Sequence, residues 1–457
     1  MKKTTSLPTL DQVVSGHLCN GCGACAFAHP DKIEMYDTES HGRRPRSTIG
    51  ATHELSTISA ESICPGVNPT GVNPTGANRH VEVGGISELR GSWGTVFEVW
   101  EGYACDDEIR FRGSSGGVAT ALALHALEQS QFEGVVHVRA KEDAALLNET
   151  VFSQSRESLL KGAGSRYAPA SPCDGLQRIA ESDRPCVFIG KPCDVAGASM
   201  ARQANQDLDN KLGLSMAIFC AGEPSIEGTI ELAKRLGVDS PEQIERVRYR
   251  GNGWPGDMEV TLQPDEDGVR RTESIPYDRG WGEVLQRHRP WRCHVCADHT
   301  GESADLSIGD PWYRPPQPGD PGRSLVLVRT ERGRRALQRA MHDGYVKMER
   351  KPPSVLDASQ PHLLRAQSSV WGRVLACKMA GVAVPRHRGR RRIVQWLKHL
   401  RIREQMQSIL GTWKRVKRKR LNTSEVSKEF HVSPCDPIEA RSDIHPAREL
   451  VTIGESQ

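Results

Sequence analysis

The sequence predicts a mixed α/β (α+β) protein with a small cysteine-rich module at its N-terminus and a basic helical extension near its C-terminus. Three observations support this fold class. Apolar strand-like runs alternate with helix-like runs from about residue 92. Cysteines and turn residues mark the first 66 residues, and residues 386–420 contain one acidic residue among many arginines and lysines. The chain of 457 residues is long enough for several domains.

These patterns divide the chain into five segments. They are a ferredoxin-like module over residues 1–66, a turn-rich linker over 67–91, an α/β domain over 92–350, a helical basic extension over 351–421 and a disordered polar tail over 422–457. Within the first segment, KIEMYDTESHGRRPR alternates around a His-Gly turn and predicts a β-hairpin. Within the third, the stretch from VRYRGNGWPG to RRTESIPY predicts a β-rich insertion.

Composition narrows the class of protein. A net charge of +4 does not argue for nucleic-acid binding. No apolar run reaches the roughly 18 residues of a membrane span, and the start MKKTTSLPTL lacks the apolar core of a signal peptide. The thirteen cysteines therefore indicate metal binding in a reducing compartment, and we expect a cytoplasmic protein.

The N-terminal module is organised around the sequence LCNGCGACA. Cys19, Cys22 and Cys25 form a CxxCxxC series, which is typical of a loop around a cubic iron–sulfur cluster. Cys64, which precedes a proline, is the favoured fourth ligand because thiolate is more usual than imidazole. His29 stands where a simple ferredoxin has its last cysteine and is the rival ligand. A structural zinc site is the alternative use of such cysteines.

A glycine- and serine-rich segment opens the α/β domain. Ser114, Ser115, Gly116 and Gly117 follow a predicted strand and precede an apolar helix that begins near Val118. Hydroxyls and backbone amides at a helix N-terminus form an anion site, suited to a cofactor phosphate. An ordinary capped helix start explains the pattern equally well.

A second segment of this kind has the sequence KGAGSRYAPAS. It contains Gly164, Ser165, Arg166 and Tyr167. An arginine and a tyrosine in a glycine-rich loop can hold a phosphate and stack on a ring. The alternative interpretation is an ordinary turn, and these residues alone do not distinguish a cofactor-binding loop from a turn.

A second set of cysteines follows predicted strand ends. Cys193 in GKPC and Cys220 in FCAGEP each come directly after a buried strand, where open α/β sheets place their ligands. Cys293 and Cys296 form a CxxC pair further along the chain. We expect these four thiols to converge on a second cluster. Inert buried thiols, or zinc at the CxxC pair, are the alternatives.

No residue is assigned to acid–base chemistry. Asp310 ends a predicted strand and His294 lies within the CxxC pair, but capping and support of the ligands are the expected roles. No GxGxxG follows a strand, so a Rossmann site for NAD is not predicted.

Residues 386–420 have apolar side chains at helical spacing within a strongly basic sequence. Such a helix packs on the protein's own body or lies on an anionic membrane, and the first interpretation is favoured. The second would place the protein at the inner face of a membrane.

The motifs CNGCGAC, RGSSGGVATAL, GSRYAPA, FIGKPCDVA, FCAGEPS, YRGNGWPG, CHVCAD and ADLSIGDPW occur in this order over residues 10–345. In this series the chain resembles the coenzyme F420 hydrogenase/dehydrogenase beta-subunit family, which includes proteins similar to 7-hydroxymethyl chlorophyll reductase. The resemblance implies an FAD-containing protein with two [4Fe-4S] clusters. It implies electron exchange with ferredoxin, with coenzyme F420 or with a hydrogenase or dehydrogenase subunit.

The resemblance also implies site residues. The flavin site maps to the segment from Ser114 to Gly117 and to the segment from Gly164 to Tyr167, with Lys191 as a further contact. The first cluster maps to Cys19, Cys22, Cys25 and Cys64, and the second cluster maps to Cys193, Cys220, Cys293 and Cys296. The basic extension lies outside the shared region and inherits nothing from it.

The sequence thus predicts an iron–sulfur flavoprotein oxidoreductase. It would pass electrons between its clusters and FAD, and on to coenzyme F420 or another two-electron partner. The alternative is a zinc-stabilised, non-redox binding or assembly protein that serves polysaccharide synthesis at the membrane, with the basic extension as its working part.

Overall fold

A computed structural model describes residues 8–48, 53–69, 85–129, 132–387 and 390–431. These residues form a mixed α/β fold, which confirms the predicted class. Most of the predicted linker over residues 67–91 lies outside the described residues. Among those described, the largest sheet has eight strands, and a hairpin and a three-stranded sheet accompany it.

The N-terminal module consists of short helices beside one hairpin. Its elements are α1 (Leu10–Ser15), α2 (Ala24–Ala28), β1 (Ile33–Thr38), β2 (Gly42–Ser47) and α3 (His53–Thr57). The predicted hairpin is confirmed, since β1 and β2 pair antiparallel across a turn that ends at a glycine with positive φ. Thr9 caps α1 and exchanges hydrogen bonds with Gln12, as a capping box does.

The central part of the chain alternates strands and helices. Its elements are α4 (Ser87–Trp93), β3 (Glu98–Ala104), α5 (Asp107–Arg112), α6 (Val118–Glu128), β4 (Val135–Lys141), β5 (Ala144–Ser153), α7 (Arg156–Lys161), α8 (Leu176–Ala180), β6 (Cys186–Gly190), α9 (Pro192–Ala204), α10 (Gln206–Lys211), β7 (Leu212–Ile218), α11 (Ile226–Arg235), β8 (Ile244–Arg248), β9 (Met258–Leu262), β10 (Thr272–Ile275), α12 (Tyr277–Arg279), α13 (Trp291–His294), β11 (Leu306–Gly309), β12 (Ser324–Val328), α14 (Glu331–His342) and β13 (Val346–Arg350). The strand order in the large sheet is β13-β3-β12-β11-β7-β6-β4-β5.

The middle of the large sheet is parallel and buried on both faces. Strands β4, β6, β7 and β11 pair in parallel, and the outer strands pair antiparallel. Val187 packs into one hydrophobic cluster with α6 and α14, whereas Phe188 packs into another with α8 and α9. Coverage of both faces explains why these strands are continuous apolar runs in the sequence. Their carboxyl ends therefore meet at one edge of the sheet.

The predicted β-rich insertion is confirmed as the antiparallel sheet β8-β9-β10. Its buried side chains, including Tyr249, Met258 and Val260, pack in one cluster with Ala144 and Leu146 of β5. The insertion therefore forms a wall beside the edge strand β5 of the large sheet.

The basic extension packs on the body of the protein. It contains α15 (Ser354–Ser359), α16 (Pro361–Ser368), α17 (Val370–Met379), α18 (Arg391–His399) and α19 (Ile402–Lys419). Trp396 of α18 packs against Trp371 with ring centroids 4.7 Å apart and planes tilted by 50°, and it donates to Ser408 of α19 at 3.0 Å. Arg391 donates to both oxygens of Glu302 at 2.6 and 2.8 Å. No helix among the described residues combines the length and apolar character that a membrane span requires.

Residues 421–431 follow α19 and cross the N-terminal module; we call them the strap. The Glu425 amide donates to the Ser15 carbonyl and the Phe430 amide to the Asp37 carbonyl, each at 2.9 Å. The Glu425 carboxylate accepts two hydrogen bonds from Arg44, and both side chains are almost fully buried. The predicted disorder from residue 422 onward is therefore wrong for residues 422–431, and residues 432–457 lie outside the described residues.

The strap gives the first testable prediction. Glu425→Gln leaves the Arg44 guanidinium buried without a counter-charge. We expect this to lower the free energy of unfolding by about 3–5 kcal/mol. We expect faster hydrogen exchange at the amides of β1 and β2. Because Arg44 and His17 lower the pKa of Glu425 from 4.5 to about 2, the stabilisation is present above about pH 4.5 and is lost as the pH falls towards 2.

Glu429→Gln is the matched control, because Glu429 pairs with Arg46 at an exposed position. We expect the loss of this exposed pair to lower the free energy of unfolding by less than about 1 kcal/mol. Equal hydrogen exchange in the two variants would contradict the role of the buried pair.

Candidate functional site

The four cysteines predicted for a first cluster surround one cavity. Cys19, Cys22, Cys25 and Cys64 all line it. Burial raises the pKa of Cys25 well above its usual value, and the neighbouring cysteines add to that shift. These buried sulfurs become thiolates only when a cation compensates the charge, as a metal cluster does. His29 ends α2, is not fully buried and does not line the cavity.

The loop that contains the first three cysteines has the geometry that its glycines predict. Gly21 and Gly23 adopt φ of +72° and +87°, a region that favours glycine. The Gly21 amide donates to the Cys19 sulfur at 3.4 Å. A Cβ on Gly23 would lie 2.2 Å from the Asp174 carboxylate, so the loop fits closely against the α/β domain.

The structure also brings together Cys193, Cys220, Cys293 and Cys296, which line a second cavity. Cys193 lies in the first turn of α9 after β6, and Cys220 follows β7. His299 ties the CxxC segment to this strand end, because its carbonyl accepts from the Cys220 amide at 2.9 Å. Two of these thiols thus reach the site from strand ends and two from the segment around α13, as predicted.

The thiols of each cysteine set lie farther apart than the ligands of a single bound zinc ion. Four thiolates around one zinc at 2.3 Å lie about 3.8 Å apart. Among the described residues, the one group of three or more ligands with atoms within 4.8 Å of one another is His17, His41 and Glu425. That group holds no cysteine, and its carboxylate already pairs with Arg44. Each cysteine set is therefore spread more widely than a zinc site.

A third cavity, of about 290 Å³, contains most of the residues predicted for a flavin. Among its lining residues are Ser114, Ser115, Gly117, Gly164, Ser165, Arg166, Tyr167 and Lys191. Gly116 does not line it. The Gly116 amide instead donates to Ser324 and its carbonyl accepts from Ala104, so this glycine joins α6 to the sheet.

Ser114 is the most informative residue of the first segment. Its hydroxyl is buried and finds no hydrogen-bond partner among the described residues. Helix α6 begins after Gly117 without a side-chain cap, so the serines do not serve as ordinary caps. The Ser115 hydroxyl bonds to Ser324 at 2.8 Å. An unpaired buried hydroxyl beside a helix N-terminus fits a phosphate oxygen of a dinucleotide cofactor.

Arg166 lines the cavity, but its guanidinium has other partners. It donates to the Asn148 side chain at 2.8 Å and to the carbonyls of Val247 and Ala145 at 2.7 and 3.0 Å. These bonds join β5 to β8. The residue therefore shapes the wall of the cavity, and its donors are not directed at a phosphate.

Aromatic residues that the sequence interpretation did not assign form another part of the wall. Tyr277 and Trp312 stack with centroids 5.7 Å apart and planes within 6°. Tyr167 packs 5.1 Å from Trp281, and Arg250 lies over Tyr277. Such a wall suits a planar ring system. The sequence GDPWY could have indicated this wall, because an aromatic pair follows the end of β11 there, at the edge of the sheet where open α/β sheets bind ligands.

Asp310, the carboxylate at the end of β11, serves this wall. It accepts two hydrogen bonds from Arg250, each at 2.8 Å, and one from Trp254 at 2.8 Å. The residue therefore holds the side chains of Arg250 and Trp254 in place. His294 lies on α13 beside the second cysteine set, where burial lowers the pKa of its ring to about 2.

Lys191 stands between the third cavity and the second cysteine cavity. It lines both, as do Cys220 and Glu223. Its ammonium lies 2.8 Å from Asp194 and 2.6 Å from Glu223. Burial raises the pKa of Glu223 to about 7 and the lysine opposes that shift. Cys19 likewise lines both cysteine cavities. The second cysteine cavity therefore adjoins the third cavity on one side and the first cysteine cavity on the other.

The chain matches two family models. Residues 99–177 match the coenzyme F420 hydrogenase/dehydrogenase beta subunit N-terminal region, and residues 183–354 match the C-terminus of the same subunit. Together these ranges cover more than half of the chain. The protein therefore belongs to the coenzyme F420 hydrogenase/dehydrogenase beta-subunit family. Its cysteine-rich module and the part of its basic extension from residue 355 onward lie outside the matched ranges.

Individual relatives are similar over large parts of the chain. The coenzyme F420 hydrogenase subunit beta of Methanosarcina barkeri is 25% identical over 257 residues, covering 54% of this chain and 79% of the relative. An F420-dependent formate dehydrogenase subunit beta of Methanococcus maripaludis is 26% identical over 264 residues, covering 57% and 63%. An uncharacterized protein of Methanocaldococcus jannaschii is 22% identical over 351 residues, covering 74% and 90%.

One solved structure shares the fold. A chain of the F420-reducing [NiFe] hydrogenase complex from Methanosarcina barkeri aligns with a TM-score of 0.51 at 22% identity. The alignment covers 65% of this chain and 97% of that chain. Nearly the whole of that chain is thus represented in the fold described here.

Lys191 gives the second testable prediction. Lys191→Met leaves Asp194 and Glu223 buried without their counter-charge, so we expect the free energy of unfolding to fall by about 3–5 kcal/mol. Urea unfolding under anaerobic conditions measures the loss. The double variant Lys191→Met, Glu223→Gln should recover part of it, because one buried charge is then removed.

Lys161→Met is the matched control, since Lys161 pairs with Glu157 at an exposed position. Its effect should stay below about 1 kcal/mol. A Lys191→Met variant as stable as this control would show that the buried lysine is not needed to balance the carboxylates.

Proposed function

We propose that this protein is an iron–sulfur flavoprotein oxidoreductase. It passes electrons between two [4Fe-4S] clusters and FAD, and on to coenzyme F420 or another two-electron donor or acceptor. The observation that carries this proposal is the series of three cavities with shared walls. A chain of redox groups needs short separations, and Cys19 and Lys191 each contact two successive cavities.

Each set of residues suits the group that we assign to it. Cys19, Cys22, Cys25 and Cys64 would hold the first cluster, and the set from Cys193 to Cys296 the second, because four thiolates are the usual ligands of a [4Fe-4S] cluster. The Ser114 hydroxyl and the N-terminus of α6 would bind the diphosphate of FAD. FAD, when bound, takes up single electrons and exchanges a hydride with an organic partner.

The remaining work falls to the chain itself. The wall formed by Tyr277, Trp281 and Trp312 excludes water from one side of the cavity and offers a flat surface for a ring. The Lys191 ammonium lies between the flavin cavity and the second cysteine cavity, where it balances the buried carboxylates of Asp194 and Glu223. No residue is assigned as a proton donor or acceptor.

The relatives suggest the partners. Their names describe beta subunits of F420-dependent hydrogenases and formate dehydrogenases, as well as a coenzyme F420-dependent sulfite reductase. We therefore propose that this chain works beside a second redox protein, either another subunit or ferredoxin, with F420 as the candidate small partner. The many free thiols suit a reducing cytoplasm.

Metal and flavin analysis after anaerobic purification tests the proposal. We expect about eight irons and one FAD per chain, with visible absorption. Cys64→Ser and Cys293→Ser should each lose about four irons, since each removes one ligand of a different cluster. Titration with F420 and with reduced ferredoxin then identifies the electron partner.

His29→Ala is the matched control for the first cluster, and it should retain all the iron. Iron loss in His29→Ala but not in Cys64→Ser would show that His29, and not Cys64, is the fourth ligand of the first cluster. A colourless protein with zinc and no flavin would support the alternative, a non-redox assembly protein with structural zinc. The thiols of each set lie farther apart than the ligands of one zinc ion, which argues against that alternative.

A specific observation favours a second, peripheral role for the basic extension. Val394 and Leu397 of α18 and Ile402, Met406 and Leu410 of α19 are exposed, and the last three recur at a spacing of four residues. Exposed arginines and lysines lie among them, with Glu404 as the one acidic residue of the segment. We propose that this face lies on an anionic membrane, as amphipathic interfacial helices do.

Vesicle sedimentation tests the membrane proposal. The holoprotein should sediment with phosphatidylcholine vesicles that contain phosphatidylglycerol, and much less with phosphatidylcholine alone. The double variant Leu397→Glu, Ile402→Glu should weaken binding about tenfold or more. Val269→Glu is the control, because Val269 is 56% exposed between β9 and β10, outside the basic extension, and Leu397 is 59% exposed. Equal binding by both variants would overturn the proposal.

A further inference from the structure

The C-terminal part of α19 carries a dense group of positive charges. Six of the seven residues from 414 to 420 are lysine or arginine, and Val416 is the exception. All six are exposed or partly exposed, and none forms a salt bridge with a carboxylate in the part of the chain that the structure describes. Burial, Arg415 and Arg418 lower the pKa of Lys419, and Glu227 opposes that shift. Positive charge therefore accumulates at this end of the helix.

This end of α19 lies beside the second cysteine set. Val416 packs in one hydrophobic cluster with Trp291 and with Val295, which lies within the CxxC segment. From the neighbouring helix α17, Arg373 donates to the His294 carbonyl at 2.7 Å. The CxxC segment is therefore covered by α17 and by the basic end of α19.

Arg289 extends the positive charge to the strand end on the other side of the same cavity. Its guanidinium donates to the carbonyl of Ala221, next to Cys220, at 2.6 Å. A Cβ placed on Gly222 would overlap the Arg289 side chain and would lie 3.4 Å from the Cβ of Cys293. The arginine is thus held against both segments that supply these cysteines.

We call Arg289, Arg373, Arg415, Arg418 and Lys419 the cationic patch. Its members repel one another. Burial and the charges of Arg415 and Arg289 lower the pKa of Arg373 to about 10. Burial, Arg418 and Arg289 lower the pKa of Arg415. All five remain charged at neutral pH, so an anionic partner that approaches this surface relieves their repulsion.

We propose that the cationic patch is the docking surface for an acidic one-electron carrier protein that exchanges electrons with the second cluster. The inference rests on the proposed function, because it requires a cluster on the second cysteine set. When the carrier is the donor, it is oxidised by one electron and the second cluster is reduced by one. The positive charges steer the carrier to this surface and hold it beside the CxxC segment.

The position of the patch favours an acidic protein over a membrane as its partner. The membrane face proposed above includes Ile402, Met406 and Leu410 of α19. At 3.6 residues per turn, Arg415 and Lys419 lie roughly 140–180° around the helix from the middle of that row. A membrane that covers the apolar row therefore leaves the patch uncovered, and the patch adjoins the candidate redox site.

The test measures the rate constant for reduction of the anaerobic holoprotein by a reduced acidic ferredoxin, followed by stopped-flow absorbance. The double variant Arg418→Glu, Lys419→Glu reverses two exposed charges, so we expect the rate constant at low ionic strength to fall about tenfold or more. Added salt should reduce this difference, because it screens the charges. Glutamates oppose the dipole at a helix C-terminus, so Arg418→Gln, Lys419→Gln is measured as well and should have an intermediate rate constant. Arg418→Lys, Lys419→Arg keeps both charges and should retain the rate constant.

Arg184→Glu, Arg335→Glu is the matched control, because both arginines are exposed and lie away from the patch. Arg184 precedes β6 and Cys193 follows it, so the two lie at opposite edges of the sheet. Arg335 lies in the turn of α14 after Arg332, which pairs with Asp305 just before the start of β11. We expect the control to have the rate constant of the unmodified protein.

Iron and flavin analysis, with reduction by dithionite, separates this inference from the proposed function. If the unmodified protein lacks iron, or if dithionite does not reduce it, the proposed function fails and the inference fails with it. If the protein contains iron and flavin and dithionite reduces it, equal rate constants for the charge-reversed variant and its control overturn the inference alone. No reduction by the ferredoxin would overturn it as well. Loss of vesicle binding at an unchanged rate constant would assign the patch to an anionic membrane and would also overturn the inference.

Discussion

The parallel pairing of β6, β7 and β11 is the constraint on which the site depends. Gly190 is in register with Ala217, and Ile218 with Ile308. The three strands therefore end at the same edge, and the residues that follow them face a common space. A shift of one residue would turn every side chain of a strand to the other face. Because both faces are packed against helices, such a shift would disturb the packing on both sides of the sheet.

The edge of the sheet is also a place where polar groups are buried. Lys191 offsets the charges of Asp194 and Glu223. Burial raises the pKa of the thiols of Cys193 and Cys220. The protein alone thus keeps them protonated, and a bound cation would stabilise the thiolates.

Local sequence patterns predicted the elements that depend on local chemistry. The cysteine spacings, the glycine loop before α6 and the hairpin β1–β2 all depend on residues close together in the chain. The direction of a side chain was not predictable in this way. Arg166 looked like a phosphate ligand, but its donors go to Asn148 and to two carbonyls on β5 and β8, which only the tertiary fold brings near.

The strap is the clearest case of tertiary contacts overriding composition. Its polar sequence has no periodicity, which is typical of disorder, yet Glu425 meets the buried Arg44 nearly 400 residues earlier in the chain. The cysteine-rich module lies outside the matched family ranges and still contributes Cys19 to the second cavity. Such a module must dock in one orientation. The strap fixes one side of it, and the turn around Cys173 fixes the other, through the carbonyls of Gly21 and Cys22. The redox chain that we propose would begin in this module, so it would depend on a segment that the amino-acid composition alone predicts to be disordered.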